Sequence, residues 1–189
     1  VGPLGHPTDL IAKGTAVCVA GGVGAAVVYP IARRLSEMGV DVITVVGGRT
    51  SANILFEDQF RSLGELIVCT DDGSAGRAGF VTEALGDLVA SRALDIVYAA
   101  GPVPMMRAVS AVTQPTNVRT VVSLNPIMVD GTGMCGGCRV TIDGAMRFAC
   151  VDGPEFDGHT VDFDELADRL TTYRDDERTA ADHVCRGTG

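Results

Sequence analysis

The 189-residue chain contains no tryptophan, and aromatic residues make up only 5% of it, so a large aromatic core is not expected. It has no surplus of positive charge. Fifteen Lys and Arg face twenty-four Asp and Glu, for a net charge of −9. That balance argues against nucleic acid or an anionic membrane as a partner, since both demand a basic surface. No apolar run approaches the roughly 18 residues of a membrane span. The opening lacks the charged and apolar regions of a secretory signal, and its turn-rich Val1-Gly-Pro-Leu-Gly-His-Pro7 reads as linker in a processed chain or fragment. No internal repeat is present, and no nucleophile–histidine pair. His6, His159 and His183 are expected as solvated histidines of loops or tail. The six cysteines do not form the paired framework of a secreted domain, which points to reduced thiols and a cytoplasmic setting.

The chain does have glycine, twenty-four of them, and 46% apolar residues, enough for one sizeable domain and an appendage. Apolar runs suited to strands buried on both faces recur at 15–20, 40–46, 65–69, 95–99 and 118–124. Between them lie segments with helical patterning at 25–38, 54–63, 80–92 and 105–112. Five strands alternating with helices predict an α/β fold with a five-stranded parallel sheet and right-handed crossovers. Cys18 and Cys69 fall inside such strands and are expected as small core residues.

Each expected strand ends in glycine or polar residues, and open parallel sheets bind ligands outside the carboxyl ends of their strands. Gly21-Gly22-Val23-Gly24 would let the backbone approach a pyrophosphate at a helix N-terminus, although it departs from the G-x-G-x-x-G spacing. Gly48 and Arg49 follow the second strand, Asp71, Asp72 and Gly73 the third, and Gly101, Pro102 and Met105 the fourth. A carboxylate here would accept from the ribose 2′-OH of NAD and repel the 2′-phosphate of NADP. An Asx-turn ahead of Gly73 is the plainer role for either aspartate. Arg49 and Arg77 could contact phosphate, as many surface arginines could.

After Asn125 the pattern changes. Three cysteines fall within sixteen residues, in the register Asp130-x4-Cys135-x2-Cys138-x11-Cys150, with glycines at 131, 133, 136 and 137. Plant-type [2Fe–2S] loops use C-x4-C-x2-C and a more distant fourth cysteine, so aspartate stands here in the first ligand's place. A zinc ribbon would show a second C-x2-C knuckle, which is missing. A third possibility is three buried cysteines in a glycine-rich turn that Asp130 merely caps. A hairpin is expected over 139–142 and 146–150, turned at Asp143-Gly144. Beyond it come a loop at 153–159, a final helix from Asp164 to about Tyr173, and a charged, mobile tail.

In this order, GGVGAA, VGGRT, CTDDGS and YAAGPVPMM resemble the NAD-binding domain of the ferredoxin–NADP reductase superfamily. With DGTGMCGGC…FAC added, the chain is similar to the electron-transfer subunits of class B dihydroorotate dehydrogenases. SLNPIMVDGTGMCGGCRV and FACVDGPEFDGHTVDF bring it nearer to the small subunits of NADH-dependent ferredoxin:NADP oxidoreductases of the sulfide dehydrogenase type. The resemblance implies a Rossmann-like NAD(H) domain over 13–125 and a [2Fe–2S] subdomain over 126–174, held by Asp130, Cys135, Cys138 and Cys150. The charged tail covers 175–189, and the resemblance further implies an FAD-binding barrel, of which residues 1–12 would be the remnant. Such a subunit passes electrons between NAD(H), FAD and the cluster to a larger catalytic oxidoreductase subunit. Where the superfamily often has a cysteine near the nicotinamide, this chain has Ala100.

Overall fold

The structure, a computed structural model, describes residue 2 and residues 4–187, with side chains to residue 181. The readings of His183 and Cys185, and the ends of the opening and tail at 1, 3, 188 and 189, lie outside what is described.

Strand β1 (Thr15–Gly21) runs through a 3-10 turn into helix α1 (Ala25–Glu37). Its side chains are buried on both faces, as a central parallel strand requires. Pro30 sits inside α1 and leaves the Ala26 carbonyl without its helical donor, but both residues are exposed, so water can supply the bond. Next come β2 (Asp41–Gly48), α2 (Glu57–Arg61), β3 (Glu65–Thr70) and β4 (Arg77–Ala78). Helix α3 (Val81–Ser91), β5 (Ile96–Ala100), α4 (Val103–Thr113) and β6 (Arg119–Ser123) complete the nucleotide-domain pattern. Then follow β7 (Arg139–Ile142), β8 (Ala145–Phe148), α5 (Ala149–Asp152), β9 (Glu155–Asp157), α6 (Phe163–Arg169) and α7 (Arg174–Gly187).

The main sheet has the order β4-β3-β2-β1-β5-β6-β9, parallel throughout except for antiparallel β9. It is the mostly parallel α/β sheet expected, with β7 and β8 as a separate hairpin. Alternation along β1 divides the core. Val17 and Val19 face α3 and α4 with Leu85, Met106 and Val109, and Ala16 and Cys18 face α1 and α2 with Val28, Leu35 and Phe60. Cys18 and Cys69 are core residues, and burial pushes the Cys18 thiol up to about 12.

Four expectations need correction. The sheet has seven strands, because β4 and β9 are edge pairs of two and three residues, too short to register as alternation. The helix expected over 54–63 shrinks to α2, because Phe56 adopts a left-handed φ of 59° and stacks on Tyr29 with ring centroids 5.5 Å apart. The segment from Asp164 splits into α6 and α7, so the charged tail is helical to Gly187. His159 is not a solvated surface residue. Its side chain is 14% exposed, and Nε2 lies 2.9 Å from Thr113 Oγ1, which also accepts from Thr120 Oγ1 at 2.6 Å.

The opening segment is pinned along this same edge. His6 N–H donates to Gly153 O at 2.7 Å, Thr8 Oγ1 to Glu155 Oε1 at 2.9 Å, and the Tyr98 hydroxyl to Asp9 O at 2.7 Å. The stretch from Pro126 to Gly153 leaves and rejoins the sheet at one point. Ser123 pairs with Glu155, and Leu124 N–H donates to Pro154 O at 2.9 Å, closing the excursion at its neck.

Candidate nucleotide cleft and cluster loop

A cleft of about 630 Å³ opens at the carboxyl ends of β1, β2, β3 and β5, within the range of small-molecule sites. Gly21, Gly22, Gly48, Arg49, Asp71, Pro102 and Met105 line it, so the structure brings together seven of the twelve residues expected there. A side chain at Gly21 would come within 2.5 Å of Met105 Sδ, so glycine keeps the floor open.

The other five take different places. Val23 turns outward and is 81% exposed. Gly24 seats the first turn of α1 against β5, where a Cβ would meet the Ala100 carbonyl oxygen at 2.1 Å. Gly101 lies beneath Met105 and beside Gly21. Asp72 Oδ1 accepts from Ser74 N at 2.9 Å and from Ser74 Oγ at 2.6 Å, an Asx-turn that passes through Gly73 at φ 70°. The Ser74 hydroxyl and backbone hold the Asp72 carboxyl below the usual carboxylate range. The two aspartates therefore divide the roles between them. Asp72 builds the turn, and Asp71 is left facing the cleft. The arginines divide too. Arg77 is engaged by Asp87 and Glu83, whereas Arg49 has no carboxylate partner among the described residues.

Sequence reasoning missed three cleft residues that could touch a ligand: Asn53, Phe80 and Thr82. Phe80 precedes α3 and is 63% exposed, an aromatic face left open at the Asp71 end of the cleft. Its only sequence signal was its position after Gly79, which reads equally as helix start.

The cysteine loop lies beyond the neck. Cys138 and Cys150 are buried, with their sulfurs 3.1 Å apart, and Cys135 is exposed. Cys150 sits on α5 rather than on the hairpin strand expected for it, because pairing ends at Phe148, where Asp152 Oδ2 accepts from Phe148 N at 2.7 Å. Asp130 Oδ1 accepts from Thr132 N at 2.8 Å and Oδ2 from Cys135 N at 2.7 Å. These backbone donors, Thr132 first, hold its carboxyl low, so Asp130 caps its own turn. Burial and the Cys138 thiol raise Cys150.

The donor atoms thus come as two pairs, Asp130 with Cys135 and Cys138 with Cys150. Among the described residues no three such side chains gather round one point. Two thiolates on one tetrahedral metal at 2.3 Å stand roughly 3.7 Å apart, so the buried pair, at 3.1 Å, would part by about half an ångström to share one. Backbone N–H groups already point at sulfur, from Gly137 to Cys135 Sγ at 3.3 Å and from Cys150 to Cys138 Sγ at 3.4 Å. Thiols brought together with N–H groups aimed at sulfur suit a metal or iron–sulfur site.

Comparison with known proteins finds two family matches along the chain. Residues 18–111 match the oxidoreductase NAD-binding domain, and residues 125–162 match the iron–sulfur cluster binding domain of dihydroorotate dehydrogenase B. The chain is 47% identical over its whole length to a dihydroorotate dehydrogenase B (NAD(+)) electron transfer subunit homolog of Thermotoga maritima, and covers 67% of that protein. It is 38% identical over 164 residues to the dihydroorotate dehydrogenase B electron transfer subunit of Bacillus caldolyticus, covering 82% of this chain and 62% of that one. Among solved structures it resembles an NADH-dependent reduced ferredoxin-NADP oxidoreductase described for flavin-based electron bifurcation. That match has 47% identity and a TM-score of 0.90 over 98% of this chain and 67% of the other. No helix among the described residues is long and apolar enough to cross a membrane.

Proposed function

Since the chain belongs to the family of dihydroorotate dehydrogenase B electron-transfer subunits, we propose that it carries the nicotinamide-nucleotide and cluster sites of such a subunit. It spans about two thirds of the length of its relatives, and the activity proposed is that of the full-length protein with its partner. NAD(H) binds in the glycine-floored cleft, with its pyrophosphate over Gly21 and Gly22 and the adenosine ribose toward Asp71. Asp71 disfavours the 2′-phosphate of NADP by charge, and Arg49 is placed to meet a phosphate of the bound nucleotide. Asp130, Cys135, Cys138 and Cys150 hold a [2Fe–2S] cluster, which supplies one-electron relay when bound. Each Asp130 oxygen accepts one backbone N–H and keeps a lone pair with which to ligate, and the three thiols must lose their protons.

Splitting a hydride into single electrons is flavin chemistry, so NADH oxidation is proposed to need the FAD-binding portion expected of the full-length protein. The electrons then leave through the loop to a larger oxidoreductase subunit. The five described cysteines are unpaired, which supports a reducing, cytoplasmic setting.

One observation carries this reading. The four-donor loop is hydrogen-bonded at its neck to the same strand edge that helps form the nucleotide domain, so both sites belong to one body. Anaerobic purification followed by iron, sulfide and zinc analysis tests it, with two irons and two sulfides per chain and a visible absorption expected. A colourless protein with one zinc would overturn the cluster. Absence of saturable NADH binding would overturn the cleft.

A further inference from the structure

The dipeptide between two of the proposed ligands, Gly136-Gly137, is bonded by one arginine and flanked by another from a different element. Arg169, on α6, donates from Nη2 to the Gly137 carbonyl at 3.1 Å. That carbonyl belongs to the peptide leading into Cys138, while the Gly137 N–H on its other side donates to Cys135 Sγ at 3.3 Å. Arg139, which opens β7, covers Gly136, with Nη1 only 2.9 Å from where a Cβ on that glycine would project. A side chain there would also be strained, since Gly136 has φ 65°.

Arg169 is held from a rigid base. Asp162 caps α6 by accepting from Glu165 N at 2.9 Å, and Phe163 and Leu166 are buried in the core. The stem of Arg169 runs along a groove with Ile127, Val129 and Leu170, which leaves the side chain half-buried. Neither guanidinium has a carboxylate partner among the described residues. In a chain of net charge −9, acidic partners engage Arg33, Arg34, Arg61, Arg77, Arg92, Arg107, Arg119 and Arg178 instead. Lys13, Arg49, Arg147 and Arg174 likewise lack a carboxylate partner among the described residues, so what sets Arg169 and Arg139 apart is their place against the ligand loop.

We propose that Arg169, assisted by Arg139, is a positioning residue that fixes the Cys135–Cys138 knuckle and raises the reduction potential of the cluster held there. This rests on the cluster reading above. The physics is simple. Reduction adds one negative charge to a group already surrounded by three thiolates and a carboxylate, and a fixed, half-buried cation favours the more negative state. Arg169, less exposed than Arg139, has the larger effect.

The test is an anaerobic redox titration of the full-length protein, followed by electron paramagnetic resonance of the reduced cluster, for wild type, R169Q, R169K and R139Q. R169Q keeps an amide donor but removes the charge. Its reduction equilibrium is expected to fall three- to tenfold, where tenfold corresponds to about 59 mV for one electron. R139Q falls by less, and R169K stays within twofold of wild type. Loss of iron from R169Q alone would support the holding role, and R139Q would then carry the measurement of potential. A fully loaded R169Q titrating with wild type would overturn the inference, as would R169K displaced as far as R169Q. A wild-type protein without iron and sulfide would instead overturn the cluster reading itself.

Discussion

Replacing Gly24 by alanine separates what the glycine run does for the fold from what it does for a ligand. Gly24 has φ −58° and ψ −19°, helical values that alanine adopts freely. On backbone grounds the change should stabilise the protein by about 0.4–1 kcal/mol. The surroundings reverse the sign. The new Cβ would lie 2.1 Å from the Ala100 carbonyl oxygen, 2.5 Å from its carbon and 2.8 Å from Gly101 N, all backbone atoms of the β5 end. A carbon and an oxygen settle at roughly 3.3 Å or more, so the first turn of α1 must retreat from the central sheet by about 1 Å. Overpacking a core costs about 1–3 kcal/mol, and a clash that no rotamer can relieve belongs at the top of that range. The net loss is about 2–3 kcal/mol, equivalent to about 4–12 °C in Tm for a chain of this size. Gly21 is the control. A Cβ there meets Met105 Sδ at 2.5 Å and Pro102 Cδ at 3.0 Å, and the flexible methionine can swing aside. G21A should therefore melt with the wild type but bind NADH at least tenfold more weakly, about 1.4 kcal/mol. Thermal unfolding by circular dichroism together with NADH titration decides the matter. A G24A protein melting within about 2 °C of wild type would refute the steric argument.

Three further outcomes follow from the geometry. F80A should weaken NADH binding several-fold and leave binding of reduced nicotinamide mononucleotide unchanged, because the exposed ring lies at the Asp71 end of the cleft; equal losses for both ligands would remove Phe80 from the adenosine side. D71S should narrow the preference for NADH over NADPH, measured as a ratio of dissociation constants, whereas D72S should lower Tm by undoing the Ser74 turn without altering that ratio. Burial raises Cys18 from 9.0 to about 12 and Tyr98 from 10.0 to about 12, so both groups are held neutral in the fold. A raised pKa gives stability that is intact below the unfolded value and is lost as pH climbs toward the folded one, so urea midpoints should fall between pH 9 and 12. C18A should lessen the fall, and an unchanged alkaline slope would count against the burial argument.

Much of this was legible in the chain itself, and the physical reasons are specific. Buried parallel strands leave unbroken apolar runs such as Ala16–Ala20, and glycine loops mark their ends, so the sheet and the mouth of the cleft could be read directly. The cluster loop was legible because thiolates at C-x2-C spacing have few other uses. The edge strands β4 and β9 left no trace, since two or three residues carry no period and their pairing depends on neighbours distant in sequence. His159 was misread for a similar reason: its partner Thr113 is 46 residues away, and only the fold brings them together. Asp71 and Asp72 are adjacent and chemically identical, and nothing short of the backbone path through Ser74 tells them apart. Arg169 lies 32 residues from the carbonyl it binds.

The neck formed by Leu124 and Pro154 also bears on how inorganic atoms enter. Cys138 and Cys150 are closed to solvent, at 2% and 7% exposure, so loading requires some part of the protein to open. Because Leu124 is fastened at the neck and β7 is bonded to residues 160–162 with Val140 in the main core, the opening can be confined to the roughly fifteen residues between them, whose reclosure costs about 2 kcal/mol in chain entropy. The sheet need not unfold for assembly. A freshly synthesised chain can fold its nucleotide domain first and wait with the loop ajar. Amide hydrogen exchange in the metal-free protein should then be fast from Pro126 to Cys138 and slow in β1, β2, β5 and β7, and iron would act as the bolt on a door whose hinge is already built.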